Sequence, residues 1–209
     1  MRLYLSSFRL GDRPEQLLGL LTGDGPVAVV ANAMDGAPFD VRAAGVVREL
    51  NDLRSLGLDA VELDLRAYWD NPDGLGAALA AHRMLWVRGG NTFVLRVAMS
   101  RAGADDVLTD LLRRDALVYA GYSAGCCVLA PSLGGLELVD PPADVTTAYG
   151  LEPQWDGLGL LPFAIVPHFR SDHPERELVE ALYVHYTNTG VPHRTLSDGD
   201  ALIIDERGV

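Results

Sequence analysis

Short apolar runs alternate with longer segments of helical period along most of this chain. Six of the runs are rich in Val, Ile and Leu and have the length of buried strands, and most segments between them can hold a crossover helix. This alternation predicts an α/β fold in which helices cover a mostly parallel sheet. The predicted strands are residues 3–6, 27–31, 60–63, 84–87, 117–120 and 163–166.

The segments between the runs carry helix signals. Apolar positions 41, 44, 47, 50, 53 and 56 predict a helix over residues 39–56 that buries this face and ends at Gly57. Further helices are predicted at residues 92–102, 105–113 and 174–186. Residues 194–205 have two apolar runs around a Ser-Asp-Gly-Asp turn, which predicts a hairpin, and residues 131–159 are predicted to be irregular.

Length and cysteine content narrow the class of protein. The 209 residues, 48% hydrophobic and 22% charged, suffice for one core, so we expect a single domain over residues 1–209. The first apolar run is too short for a signal peptide, and no apolar stretch approaches the ~18 residues of a membrane span. The two cysteines, Cys126 and Cys127, are adjacent and rarely reach disulfide geometry in that position. We therefore expect a reduced, cytoplasmic protein.

The charged side chains exclude several functions. All 17 basic side chains are arginine, so mechanisms that need a lysine, such as a Schiff base or a phosphate-binding P-loop, are excluded. The 29 acidic side chains outnumber them and give a net charge of −12. A surface this acidic repels nucleic acid and anionic lipid, so we expect neither as a partner.

A serine between a predicted strand and a helical segment is the best nucleophile candidate. It lies in Gly121-Tyr122-Ser123-Ala124-Gly125. A G-x-S-x-G sequence in this position is typical of a sharp turn that lifts a serine hydroxyl from the carboxyl edge of a sheet, where the helix N-terminus favours negative charge. Ser123 is therefore the candidate nucleophile, and the alternative is a tight turn with Ser123 as a helix N-cap.

Two further motifs follow predicted strands at the same edge. His168 follows the last predicted strand and is the candidate base among five histidines, because sites in parallel sheets form at the strand carboxyl ends. Arg88-Gly89-Gly90-Asn91-Thr92 follows another strand, and its glycines make the amides of Gly90 and Ala124 candidates for an oxyanion hole. A phosphate-binding loop is the alternative, although the P-loop lysine and the G-x-G-x-x-G spacing are missing.

The order and spacing of these motifs resemble the peptidase E family, aspartyl dipeptidases related to cyanophycinase. The resemblance rests on residues 88–93, 121–125 and 167–169, with 3–7 and 31–33 near the start. It implies a flavodoxin-like three-layer sandwich with a mostly parallel sheet, similar to class I glutamine amidotransferases, and hydrolysis of small peptides by a serine triad. It further implies Ser123 as nucleophile, His168 as base, and Asp198, in a Leu-x-acid-Gly turn, as the acid that orients His168. This chemistry requires neither a metal nor a cofactor.

Several assignments stay open at this stage. Glu137 and Asp140 are alternative acids, because some members of the family carry an aspartate in this region. An acidic substrate needs a cation, so Arg88, Arg170 and Arg176, which flank the motifs, are assigned to substrate binding together with Asn91. A surface salt bridge is the alternative role of each arginine.

The same residues allow three other interpretations. A metal site around His168 and His173 is disfavoured, because an H-x4-H spacing on a loop is not typical of zinc. An α/β-hydrolase esterase shares G-x-S-x-G, and with Asp140 as its acid it would keep the order serine, acid, histidine. A non-catalytic binding protein with Cys126 or Cys127 as a reactive thiol is the third. The oligomeric state does not follow from the sequence.

Overall fold

The computed structural model describes residues 1–206, and its centre is a six-stranded sheet. The strands are β1 (Arg2–Ser6), β2 (Val27–Val30), β3 (Ala60–Glu62), β4 (Met84–Val87), β5 (Val118–Tyr122), β6 (Ala164–Val166), β7 (His193–Thr195) and β8 (Ala201–Asp205). The order in the large sheet is β3-β2-β4-β5-β1-β8. The first five strands in this order are parallel, and β8 runs antiparallel along β1. The predicted α/β class with a mostly parallel sheet is confirmed.

Helices cover both faces of this sheet. They are α1 (Pro14–Leu20), α2 (Phe39–Ser55), α3 (Pro72–Ala80), α4 (Thr92–Arg101), α5 (Ala104–Arg113), α6 (Ala124–Cys127), α7 (Asp144–Tyr149) and α8 (Arg176–Thr189). Successive strand side chains point to opposite faces, so Val29 packs with Leu53 of α2, whereas Val30 packs with Leu95 of α4. The result is a helix, sheet, helix sandwich. Within residues 1–206, no helix combines the length and the apolar character needed to cross a bilayer.

The predicted hairpin over residues 194–205 is wrong. Both strands exist, but β7 pairs in parallel with β6 in a separate two-stranded sheet, and β8 pairs with β1. As a consequence β6, which we expected in the main sheet, lies outside it. The apolar side chains of β8 pack better beside the buried strand β1 than beside the half-exposed β7. The connection between β7 and β8 therefore links the two sheets, and it runs close to the end of β6.

The buried face of α2 also differs from the prediction. Val41 and Val47, expected in the core, are 48% and 56% exposed. Glu49 is only 1% exposed and shares the buried face with Gly45 and Val46. The predicted face is therefore wrong only in the first half of α2, since the leucines at positions 50, 53 and 56 pack with the core as expected. Glu49 can occupy a buried position because hydrogen-bond donors on distant strands satisfy its carboxylate.

The segment at 131–159 contains only the short helix α7 and a 3-10 turn at Leu136–Leu138, so its predicted irregular character is confirmed. Its apolar side chains, among them Leu133 and Val145, pack against Phe93 in a third buried cluster. This packing brings the segment to the carboxyl end of β4, where it lines the cavity described next.

Candidate active site

The turn after β5 holds Ser123 in a strained backbone conformation. Its φ and ψ are 51° and −117°, a combination that non-glycine residues rarely adopt. Strain of about 1–3 kcal/mol persists only where the surroundings enforce it, and such residues cluster at functional sites. Close packing enforces it here, because a Cβ on Gly121 would lie 2.7 Å from the Val87 carbonyl oxygen, and Gly125 leaves still less room. The two glycines of the motif are required because any side chain at these positions would collide with the backbone of β4.

The loop after β4 packs directly against this turn. A Cβ on Gly89 would lie 2.9 Å from the Cβ of Ser123, and a Cβ on Gly90 would lie 2.6 Å from the Ala33 carbonyl oxygen. Gly90 has a φ of 149°, which also favours glycine. Gly90 and Ala124 line the same cavity as Ser123, and their N–H groups donate to no backbone carbonyl within residues 1–206. Both amides are therefore free to bind an oxyanion.

The structure places Asp198 beside His168. His168 Nδ1 lies 2.7 Å from Asp198 Oδ1. The Ser7 hydroxyl donates to the same carboxylate oxygen at 2.9 Å and accepts the His168 backbone N–H at 2.7 Å, so it ties the two residues together. The alternative acids are engaged elsewhere, Glu137 with the Gly135 N–H and Asp140 with Thr92. Sequence reasoning missed Ser7, although it directly follows β1 at the carboxyl edge of the sheet.

The surroundings of His168 favour the neutral imidazole. Burial lowers its pKa below the ordinary 6.5, the hydrogen bond with Asp198 opposes this, and the charge of His173 lowers it further. His168 is 4% exposed, and its ring stacks on that of His173 with 3.9 Å between centroids. A neutral imidazole at physiological pH is the form in which a histidine accepts a proton.

Ser123 and His168 line one cavity of about 420 Å³. The Ser123 hydroxyl makes no hydrogen bond within the described part of the chain, so it neither caps α6 nor reaches His168 in this arrangement. The alternative role of Ser123 as the N-cap of α6 therefore lacks the hydrogen bond that defines a cap. Nucleophile-to-base contacts are often long before substrate binds.

Glu49 and two arginines form a buried network beside the nucleophile. Glu49 accepts hydrogen bonds from Arg88 Nε at 3.2 Å and from the Tyr122 hydroxyl at 2.8 Å. Arg48, with 44% of its side chain exposed, lies 3.3 Å from the same carboxylate. Gly45 leaves space for the Arg88 guanidinium, since a Cβ there would lie 3.1 Å from it. Both arginines line the cavity, but sequence reasoning identified Arg88 alone.

Acidic side chains line the cavity as well. Asp140 accepts hydrogen bonds from the Thr92 N–H at 2.9 Å and the Thr92 hydroxyl at 2.6 Å. Burial, with a contribution from the charges of Glu175 and Asp144, raises the pKa of Asp140 to about 6. Asn91 caps α4 through its side-chain oxygen and donates to Asp144, so its polar atoms are already engaged.

Arg170 and Arg176 lie away from the nucleophile. They line a separate depression with Glu177 and Glu180, and neither lines the cavity that contains Ser123. The Arg170 guanidinium stacks on the Phe169 ring at 4.9 Å from its centroid. Of the arginines assigned to substrate binding from the sequence, the structure brings only Arg88 to Ser123.

The two cysteines are buried beneath the same turn. Cys126 contacts the carbonyl oxygens of Ser6 and Gly121, and Cys127 lines the cavity. Burial raises the pKa of both thiols above the ordinary 9.0, which keeps them protonated. Within residues 1–206, no group of three histidine, cysteine or acidic side chains is arranged to hold a metal ion.

Sequence relatives of the chain are peptidases. An uncharacterized peptidase of Listeria innocua is 30% identical over 159 residues, which are 75% of this chain and 71% of that protein. The peptidase E of Streptomyces coelicolor is 34% identical over 115 residues, which are 54% of this chain and 42% of that protein. The match thus spans less than half the length of the Streptomyces relative.

The fold and the family agree with these relatives. A Listeria monocytogenes protein that was solved as a candidate peptidase E has a TM-score of 0.79 at 23% identity, over 99% of this chain and 95% of that one, which shows a shared fold. The sequence profile of peptidase family S51 matches residues 44–209. Because this match covers well over half of the chain and includes all three sequence motifs of the site, the protein belongs to peptidase family S51 and is a serine-type peptidase.

Proposed function

We propose that this peptidase is a dipeptidase that releases an acidic N-terminal residue, with Ser123, His168 and Asp198 as its catalytic triad. The observation that carries the proposal is the 2.7 Å hydrogen bond between His168 Nδ1 and Asp198 Oδ1 in the cavity lined by Ser123. The order serine, histidine, acid along the chain differs from that of α/β-hydrolase esterases, in which the acid precedes the histidine.

The reaction proceeds through an acyl-enzyme. Asp198 holds the proton on Nδ1 of His168, so Nε2 accepts the Ser123 proton as the hydroxyl oxygen attacks the scissile carbonyl carbon. The amides of Gly90 and Ala124 bind the resulting oxyanion. The imidazolium protonates the leaving amine as the C–N bond breaks. His168 then takes a proton from water as the water oxygen attacks the ester carbonyl, and it returns that proton to the serine oxygen as the acyl C–O bond breaks and the acid leaves.

The charges in the cavity support a dipeptide substrate. Arg48 and Arg88 line it, and so do Asp140, Asp144 and Glu175. Arginine binds a carboxylate in two parallel hydrogen bonds, and carboxylates bind an ammonium group. The cavity volume of about 420 Å³ is within the range of small-ligand sites, ~300–1,000 Å³. A short zwitterion with an acidic side chain matches both the volume and the two kinds of charge.

A fluorophosphonate probe tests the nucleophile. We expect the wild type to be labelled, Ser123→Ala to lose the label, and Cys127→Ala to keep it. Cys127 is the matched control, because its thiol lines the same cavity but is protonated and buried. Labelling that survives in Ser123→Ala would refute the assignment, and an unlabelled wild type would favour a non-catalytic binding protein.

A dipeptide panel tests the substrate class. Asp-X should be cleaved faster than Leu-X and isoaspartyl-X, and Arg48→Ala should lower kcat/KM for Asp-X by ~10–100-fold, the value of a charge-assisted hydrogen bond. Arg176→Ala is the control, because this exposed arginine lies outside the cavity, and it should change little. Equal rates for Asp-X and Leu-X in the wild type would refute acidic specificity and leave the peptidase chemistry intact.

A further inference from the structure

His173, which the proposed triad does not use, stacks face to face on His168. The ring centroids are 3.9 Å apart and the planes are 9° from parallel. Phe8 meets both rings in edge contacts, at 5.8 Å from His168 and 6.2 Å from His173. Together with the Asp198 hydrogen bond at Nδ1, these contacts restrict both the plane and the rotation of the His168 ring.

The segment just before α8 holds the His173 ring in place. The Glu175 backbone N–H donates to His173 Nδ1 at 3.3 Å. The Glu175 carboxylate lies 3.8 Å from the same nitrogen. The side chain of His173 is 18% exposed and that of His168 only 5%, so His173 is the more exposed ring of the stacked pair.

We propose that His173 is a positioning residue whose ring holds His168 for proton transfer from Ser123, and that a charge on His173 opposes a charge on His168. The inference rests on the proposed role of His168 as the base. In two imidazoles that are in face-to-face contact, a charge on one disfavours a charge on the other. His168 gains a proton when Ser123 attacks, so a charged His173 opposes that step.

Other charged groups near the two stacked rings also affect the protonation of His168. Asp198, from the β7–β8 connection, favours a proton on His168, and so does Glu175, just before α8. Phe8, from the loop after β1, is uncharged. Asp140 interacts with Glu175, and Arg48 is a cation that lines the same cavity. Burial has the largest effect and, with the His173 charge, lowers the pKa of His168 despite Asp198.

Two substitutions separate the stacking from the charge. His173→Phe keeps an aromatic ring against His168 but removes the titrating group, and His173→Ala removes both. His82→Phe is the matched control, since its ring contacts the Ala78 carbonyl on α3 and does not line the cavity. The readouts are the rate of fluorophosphonate labelling of Ser123 as a function of pH and the pKa of His168 measured by NMR.

We expect His173→Ala to be labelled about 10-fold or more slowly than the wild type near pH 8, because the base is no longer held in line. His173→Phe should be labelled at close to the wild-type rate near pH 8. The NMR pKa of His168 should move to higher pH in this variant, because His168 then binds its proton without an opposing charge. His82→Phe should match the wild type in both readouts.

The inference has two separate points of failure. Wild-type labelling rates in His173→Ala would overturn the positioning role. A His168 pKa that does not rise in His173→Phe would overturn the coupling. The NMR titration needs no turnover, so it tests the coupling even if the wild type is not labelled. A wild type that is not labelled would refute the proposed function and not the coupling.

Discussion

Replacing Glu49 by glutamine would remove the charge at the centre of the buried network while keeping its shape. Oε1 of Glu49 accepts from Arg88 Nε at 3.2 Å and from the Tyr122 hydroxyl at 2.8 Å. Oε2 accepts from Trp86 Nε1 at 3.0 Å. Both oxygens are acceptors, so in either orientation of the new amide its NH2 group faces a donor. Glu49→Gln therefore loses both a charge partner and an acceptor.

The structure sets the size of this loss. Arg88 is 7% exposed, and when the NH2 group faces Trp86 it would keep only neutral acceptors, the new amide oxygen and the Gly89 carbonyl. Removing one partner of a buried ion pair costs about 3–5 kcal/mol. A buried donor without an acceptor, here Trp86 Nε1, costs about 1–3 kcal/mol. These losses overlap, so we expect the free energy of unfolding to fall by about 4 kcal/mol, a large part of the ~5–15 kcal/mol typical of a domain.

Urea unfolding followed by circular dichroism measures this loss, provided that the m value stays unchanged. Trp86→Phe in the Glu49→Gln background removes the unsatisfied donor, so the double variant should lose ~1–3 kcal/mol less than the two single variants together. Asp110→Asn is the control, because its ion pair with Arg114 is exposed and should contribute below ~1 kcal/mol. A loss below about 1 kcal/mol for Glu49→Gln would refute the reasoning.

Three further predictions concern the proposed triad and Asp140. Asp198→Asn should lower kcat by roughly 10³–10⁴-fold with little change in KM, because the amide donates to His168 Nδ1 and selects the wrong tautomer; a loss below about 10-fold would point to another acid. Since burial keeps the pKa of His168 below 6.5, kcat/KM should fall with decreasing pH only below about 6.5, and an acid limb above about pH 7 would contradict this. The pKa of Asp140 is raised to about 6 from 3.8, so the protonated carboxyl contributes stability at low pH that is lost as pH rises through about 6. Asp140→Asn should thus raise the free energy of unfolding by up to about 3 kcal/mol near pH 7 and leave it unchanged near pH 3, below the ordinary pKa of 3.8; in urea titrations, a less stable variant near pH 7 would contradict it.

Local sequence signals predicted those site residues that directly follow a strand. Ser123, Gly90 and His168 each follow a short apolar run, and in a parallel sheet such ends meet at one edge. The close approach of β4 that the Gly-x-Ser-x-Gly glycines allow is present in the structure. Asp198 was reached through the family resemblance alone, because its turn sits between two strands that local pattern joined incorrectly into a hairpin.

The sequence by itself determined the α/β class, the positions of the strands and of the four longest helices, and the residues at strand ends. It did so because hydrophobic period and glycine placement act within a few positions of the chain. Only the tertiary structure decided that Glu49 is buried, that Arg48 lines the cavity while Arg170 and Arg176 do not, and that His173 stacks on His168. The physical reason is that a buried polar side chain is stable only with partners, and these come from distant parts of the chain. Trp86 and Tyr122 satisfy Glu49 from two different strands, a contact that no local pattern encodes.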